Sequence, residues 1–206
     1  MNKFFTNLSK PEGLGGRLML VAMNIGHSSL SNWGLRRLAI KPEDRILDIG
    51  CGGGKNIARM LKKAYAGKVC GLDYAGASVA KSKSLNRRAI AGGRAEIRQG
   101  GVSQNPWPAG SFDTVTAFET IYFWPDFVND LREIRRVLKP GGTVFICNEV
   151  NKPEEGEAPY QYWIKKMDLK IYTSSDFRRC LGEAGFIGIE IVTKGKSRIC
   201  VSAKAP

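Results

Sequence analysis

The stretch Asp48-Ile49-Gly50-Cys51-Gly52-Gly53-Gly54 sets a carboxylate directly ahead of a glycine run. Glycines let a backbone turn tightly and approach a ligand without Cβ contact. The helix that follows offers free N–H groups to a negative group. A phosphate-binding P-loop needs Gly, four residues, then Gly-Lys-Ser/Thr. Here Ile49 stands five residues before Gly54, and Asn56 follows Lys55, so the magnesium-binding hydroxyl is missing. The dinucleotide pattern Gly-x-Gly-x-x-Gly fails as well. Its sixth position is Lys55 counted from Gly50 and Ile57 counted from Gly52. An acid followed by Gly-x-Gly-x-Gly remains. The Asp48 carboxylate suits a ligand carrying ammonium and sulfonium charge and repels a pyrophosphate.

A second group of chemically able residues lies in "AFETIYFWPD" and "FICNEV". It comprises Glu119, Tyr122, Phe123, Trp124 and Glu149. Neighbouring strand ends would bring Glu119 and Glu149 to one sheet edge, inside an aromatic wall. Glu119 reads as a base or as the partner of a cationic acceptor. Glu149 ends an apolar strand, where a pocket explains a carboxylate better than packing does. The chain has one histidine, His27. It excludes a His-rich metal centre, and no Gly-x-Ser-x-Gly elbow accompanies it. No metal site is expected. Trp33 and Trp163 read as core residues or walls for an apolar acceptor. Cys51 reads as a small packing residue within the glycine loop, because a reactive thiol needs a depressed pKa.

These residues need a frame. From Arg45 onward short apolar runs alternate with helical spacing: "RILDIG", "KNIARMLKKAYAG", "KVCGLD", "ASVAKSKSLNRRAIAGG", "AEIRQG", "FDTVTAFE", "FVNDLREIRRVLK", "TVFICNEV". Asp126 is placed to cap the seventh of these, and Pro140-Gly141-Gly142 to stop it. Such alternation predicts an α/β fold, a parallel sheet with helices on both faces. "SSDFRRCLGEAGF" then predicts a capped helix with Gly185 as its stop. Two strands joined at Lys194-Gly195-Lys196 follow, a turn so short that it makes an antiparallel hairpin. The reading is one domain over 1–206: a helical lid over 1–44, a cofactor-binding core over 45–150, a lid insertion over 151–172, and a terminal helix and hairpin over 173–206. Leu18, Val21, Ala22 and Ile25 supply helical spacing in the first lid. Tyr162, Ile164, Met167 and Leu169 supply it in the second.

"ILDIGCGGG" resembles the first motif of the class I S-adenosylmethionine-dependent methyltransferases. "GLDYA" resembles their second motif, and "GSFDTV" and "EIRRVLKPGGTVFICNE" their fourth-strand and fifth-strand motifs. The four occur in order over roughly residues 45–204. "LREIRRVLKPGG" is similar to the ubiquinone/menaquinone-type, small-molecule branch. The resemblance implies a Rossmann-like seven-stranded, mostly parallel sheet with a reversed last strand. It implies S-adenosylmethionine as cofactor, S-adenosylhomocysteine as product, and methyl transfer to a small-molecule acceptor. By it, Asp48 and the loop Gly50, Cys51, Gly52 and Gly54 hold the methionine end and ribose. Asp73 accepts both ribose hydroxyls, and Tyr74 lies against adenine. Gly101 occupies the slot where many relatives carry an acid for the adenine amine. The Val102 backbone still serves the ring, and Ser103 or Gln104 replaces the acid. Phe118 joins the cofactor set at the fourth strand's end. Glu119, Tyr122, Glu149 and His27 form the catalytic set.

The composition agrees with a folded chain. It has 206 residues, 43% hydrophobic and 25% charged, ordinary for a globular protein. The longest N-terminal apolar run, Leu18 to Met23, is far too short for a bilayer. Lys10 and Arg17 interrupt the only signal-like region. Five cysteines without a Cys-x-x-Cys pair predict a reduced, cytoplasmic protein, monomeric or homodimeric. The net charge is +13. Its basic pairs are spread from Arg36–Arg37 to Arg178–Arg179 with no long run, so solvated helix faces account for them. RNA methylation is the competing reading. Against it stand the lack of an Asn-Pro-Pro-Tyr or Asp-Pro-Pro-Tyr signature and of any RNA-binding extension. A non-catalytic cofactor-binding protein is a third.

Overall fold

The computed structural model describes residues 28–158, 161–166, 168–195 and 197–206. His27 and the helical spacing around Leu18 lie outside the described residues. The strands are β1 (Arg45–Ile49), β2 (Lys68–Asp73), β3 (Ala95–Gln99), β4 (Phe112–Phe118), β5 (Leu138–Asn148), β6 (Ile187–Lys194) and β7 (Arg198–Lys204). The helices are α1 (Ser28–Leu35), α2 (Lys55–Lys63), α3 (Gly76–Leu85), α4 (Arg87–Ala91), α5 (Phe127–Val137), α6 (Gln161–Lys166) and α7 (Ser174–Glu183).

The strands form one sheet in the order β3-β2-β1-β4-β5-β7-β6. The first five pair in parallel, and β7 inserts antiparallel between β5 and β6. This is the expected mostly parallel sheet with a reversed end. Alternation along each strand divides the core in two. Leu47, Ile49, Val115, Ala117, Val144 and Ile146 face α5 and α7. Ile46, Val69, Phe118, Phe145 and Cys147 face α1, α2 and α3.

Helix ends follow local chemistry. The Asp126 side chain accepts from Asn129 N and caps α5. Thr173 and Asp176 form a reciprocal capping box on α7, which satisfies two otherwise orphaned donors. Gly185, at φ 84°, follows that helix.

Three boundaries differ from the sequence reading. The helix expected through "ASVAKSKSLNRRAIAGG" is two helices. Asn86 interrupts it because its side-chain amide donates to Ser82 O and to Gly54 O. Helix α5 stops at Val137, before Pro140, and β5 begins at once at Leu138. Its register against β4 shifts between Phe112 and Thr114, opposite the Pro-Gly-Gly stretch. Strand β4 ends at Phe118, because Glu119 turns to φ 59°. Among the described residues no helix is long and apolar enough to cross a membrane.

Candidate active site

The parallel strands β1, β2 and β4 end together, and their loops build the first half of the site. Gly50 N and Cys51 N both donate to Leu72 O, at 2.8 and 3.1 Å, tying the glycine loop to the end of β2. Gly50, Gly52 and Gly54 have φ of 66°, 51° and 78°, a region that L side chains rarely enter. Two of them are also filled from outside. A Cβ on Gly50 would lie 2.1 Å from Thr120 Oγ1, and one on Gly54 2.3 Å from Ser82 Oγ. A Cβ on Gly52 meets nothing within 4 Å, so this backbone can be approached closely.

Two buried acids flank the loop. Asp48 accepts from Thr116 Oγ1 at 2.7 Å. Burial pushes its carboxyl up to about 7, with the Thr116 bond opposing and the charge of Asp73 adding. Asp73 accepts from Gly52 N at 2.8 Å and Ala75 N at 2.9 Å. Burial raises it too, against those same hydrogen bonds. Neither acid is in an ion pair among the described residues. Two desolvated carboxylates beside the half-buried backbone of Gly50 and Gly52 fit a cationic ligand and resist an anionic one. Burial and both acids hold the Cys51 thiol well above its ordinary range, so it packs as a neutral group.

A cleft of about 160 Å³ opens beside Asp73, with Tyr74, Gly101, Val102 and Ser103 on one side and Phe123 and Trp124 on the other. Tyr74 is 41% exposed. Ser103 Oγ donates to Asp130 Oδ1 at 2.5 Å, and Asp130 is fully buried on α5. Gln104 does not line this cleft. Phe118 points to the other side of the sheet, where it packs against Phe145.

The second half lies at the ends of β4 and β5. Glu119 Oε1 accepts from Tyr122 Oη at 3.1 Å and, in a short contact, from Glu149 N. Burial pushes Glu119 up to about 7, against the Glu149 N–H and Tyr122 bonds, with the Glu149 charge adding and Arg198 opposing. Burial raises the Tyr122 phenol further, and the charge of Glu119 adds to it. Tyr122 Oη also accepts from Val150 N at 3.1 Å. Glu149 pairs with Arg198 on β7, whose Nε donates to Oε1 at 2.9 Å. Arg198 Nη1 in turn donates to Ser29 Oγ of α1 at 3.2 Å. The structure thus brings Glu119, Tyr122 and Glu149 together, and adds Arg198, which its place in the terminal hairpin did not single out.

The segment after β5 is laced to this corner. Lys170 N donates to Tyr122 O at 3.2 Å, and Lys170 Nζ to Trp124 O and Pro125 O. Lys152 N donates to Tyr172 O at 2.9 Å, closing the segment on itself. Trp33 is buried in the α1-side core, under the Arg37 guanidinium.

Residues 47–146 match the methyltransferase domain family. The uncharacterized methyltransferase YdaC of Bacillus subtilis (strain 168) is 30% identical over 87% of this chain and 93% of that protein. This chain belongs to the methyltransferase domain family. With the family comes the enzyme class, an S-adenosylmethionine-dependent methyltransferase. The 27-O-demethylrifamycin SV methyltransferase of Amycolatopsis mediterranei (strain S699) is 28% identical over 72% of the chain, which spans 56% of that enzyme. A crystal structure of a SAM dependent methyltransferase from Aquifex aeolicus shares the fold. Its TM-score is 0.75 at 19% identity, over 92% of this chain and 98% of that one.

Proposed function

We propose that this methyltransferase modifies a small, largely apolar acceptor, with Glu119 as the base or orienting group. One observation carries the reading. Glu119 is a carboxylate with a pKa raised to about 7, held by Tyr122 at the end of β4, the strand paired with β1 and its glycine loop. Phe123 packs edge-on against the Tyr122 ring, with centroids 6.2 Å apart, and supplies apolar surface next to this pair. S-adenosylmethionine supplies an already activated methyl group when bound. The protein's own work is then to align the acceptor, exclude water and take a proton where the acceptor carries one. Similarity to enzymes named for a rifamycin and for demethylmenaquinone supports an acceptor of that size. Labelled cofactor incubated with a metabolite extract should yield a small labelled product. Label found only in RNA would refute the reading.

Within the site, Asp48 and the loop Gly50–Gly54 hold the methionine end, and Asp73 the ribose. The Asp73 carboxylate accepts from Gly52 N, Ala75 N and the Ser78 hydroxyl, and its two oxygens together still have room for a ribose hydroxyl. Asp73→Ala should weaken S-adenosylhomocysteine binding by about 1–3 kcal/mol, measured by calorimetry. Unchanged affinity would remove Asp73 from the site.

Adenine recognition falls to Val102 backbone and Ser103. The Ser103 hydroxyl proton is committed to Asp130, so its outward lone pair is an acceptor for an amine. A donor-for-acceptor swap on the ligand tests this. The parent should bind S-adenosylhomocysteine about 10-fold or more tighter than its inosine analogue, and Ser103→Ala should reduce that preference severalfold. A preference unaltered in Ser103→Ala would assign the reading to backbone groups. Residues 151–172 act as a cover over the acceptor; of the N-terminal lid expected over 1–44, His27 lies outside the described residues and the described part, 28–44, buries Leu30, Trp33, Leu35 and Leu38 in the α1-side core. The protein works in the cytoplasm, as a monomer or homodimer.

A further inference from the structure

The basic pairs that look scattered along the sequence are unevenly placed in the fold. Residues 55–94 hold ten Lys and Arg against one acid, the buried Asp73, and so carry nine of the 13 net positive charges. They build α2, α3 and α4 on one face of the sheet. Ile57, Met60 and Val79 enter the same core cluster, and Ala89 and Ile90 pack against it. Among the described residues, the ion pairs on this flank both converge on Glu96, from Lys68 and Arg98. Lys62, Lys83, Arg87 and Arg88 are exposed and enter no ion pair among the described residues.

The shape matters as much as the charge. Helix α4 buries none of its five residues, so it stands out as a ridge bearing Arg87 and Arg88. A shallow groove of about 460 Å³ separates it from Ala58 and Leu61 of α2. Another of about 510 Å³ runs between it and Ala95 and Ile97 of β3. Apolar side chains protrude among the cations. Leu85 is 48% exposed beside the ridge, and Tyr65, at the end of α2, is 66% exposed.

We propose that this flank docks the protein on an anionic phospholipid bilayer. Clustered Lys and Arg are drawn to the negative leaflet surface within a Debye length. Protruding Leu and Tyr enter the boundary between headgroups and acyl chains, where amphipathic side chains are stable. An RNA strand would use the same cations but gains little from Leu85. The flank shares none of the residues lining the acceptor corner. An acceptor as apolar as the proposed one dissolves in the surface on which the enzyme would rest. The docking face itself stands on charge and exposure and does not depend on the acceptor's identity.

Vesicle flotation tests it with the full chain. Vesicles of equal parts phosphatidylglycerol and phosphatidylcholine should carry the protein, and phosphatidylcholine alone should not. The variant K62Q/R87Q/R88Q should partition about 100-fold more weakly. Leu85→Ser, which leaves charge untouched, should lose about tenfold. The opposite-face variant R132Q/R135Q/R178Q should lose clearly less than the flank variant. Each variant should bind S-adenosylhomocysteine like the parent, which certifies its fold and keeps the test separate from the acceptor question. The proposal is overturned if the parent ignores anionic vesicles, or if the opposite-face variant loses as much. It is overturned as well if Leu85→Ser changes nothing while a single-stranded RNA 20-mer binds and responds to the three flank charges.

Discussion

Glu119→Gln should lower turnover by about 10²-fold or more while leaving S-adenosylhomocysteine affinity near that of the parent. The substitution keeps the shape and the Oε1 acceptor for Tyr122 and Glu149 N, and removes only the charge and the ability to take a proton. The pH profile should carry the same signature. The carboxyl is pushed up to about 7 by burial, and the base is its deprotonated form. Activity in kcat/KM should therefore rise through about pH 7 and level off above it, and Glu119→Gln should abolish that rise. Tyr122→Phe should cost about 1.5–3 kcal/mol, because it removes a hydrogen bond to the Glu119 carboxylate and leaves Val150 N without its acceptor. Full turnover by Glu119→Gln on the true acceptor would reject the assignment.

Gly50→Ala should be among the most damaging single methyls in the described residues. At φ 66° an alanine is strained by about 1–3 kcal/mol. Its Cβ would also lie 2.1 Å from Thr120 Oγ1 and 2.6 Å from Thr120 Cβ, and overpacking of that kind costs about 1–3 kcal/mol more. Thermal unfolding should show a loss of several kcal/mol, and cofactor binding should disappear with the displaced loop. Replacing Thr120 by glycine in the same chain removes the collision and leaves the strain. The double variant should recover about half of the lost stability, whereas a double variant no better than Gly50→Ala would place the whole effect in backbone strain.

The sheet and the place of the glycine loop in it were legible because their determinants are local. The apolar runs, the acid before the glycines, the cap at Asp126 and the short hairpin turn each declare themselves within a few residues. What stayed hidden depends on long-range register. Arg198 meets Glu149 only because β7 runs antiparallel beside β5, with Asn148 opposite Ile199. Asn86 breaks a helix because its amide reaches Gly54, 32 positions away. The turn at Glu119 interrupts what reads as a continuing strand. The charge of residues 55–94 is a different case. A running sum along the chain exposes it, whereas inspecting doublets one by one conceals it.

The lacing of residues 151–172 bears on how such enzymes diversify. Its two backbone ties, Lys152 N to Tyr172 O and Lys170 N to Tyr122 O, use peptide groups that nearly every residue type provides. The stretch between them can therefore drift in sequence and length while the first tie keeps it closed on itself and the second holds it at Tyr122. Loop 48–54 has no such latitude, since two of its glycines are fixed by the side chains of Thr120 and Ser82. With 151–172 as the proposed cover of the acceptor and the glycine loop as the proposed donor site, new acceptor preferences can thus accumulate in one exchangeable panel while the other half is inherited unchanged.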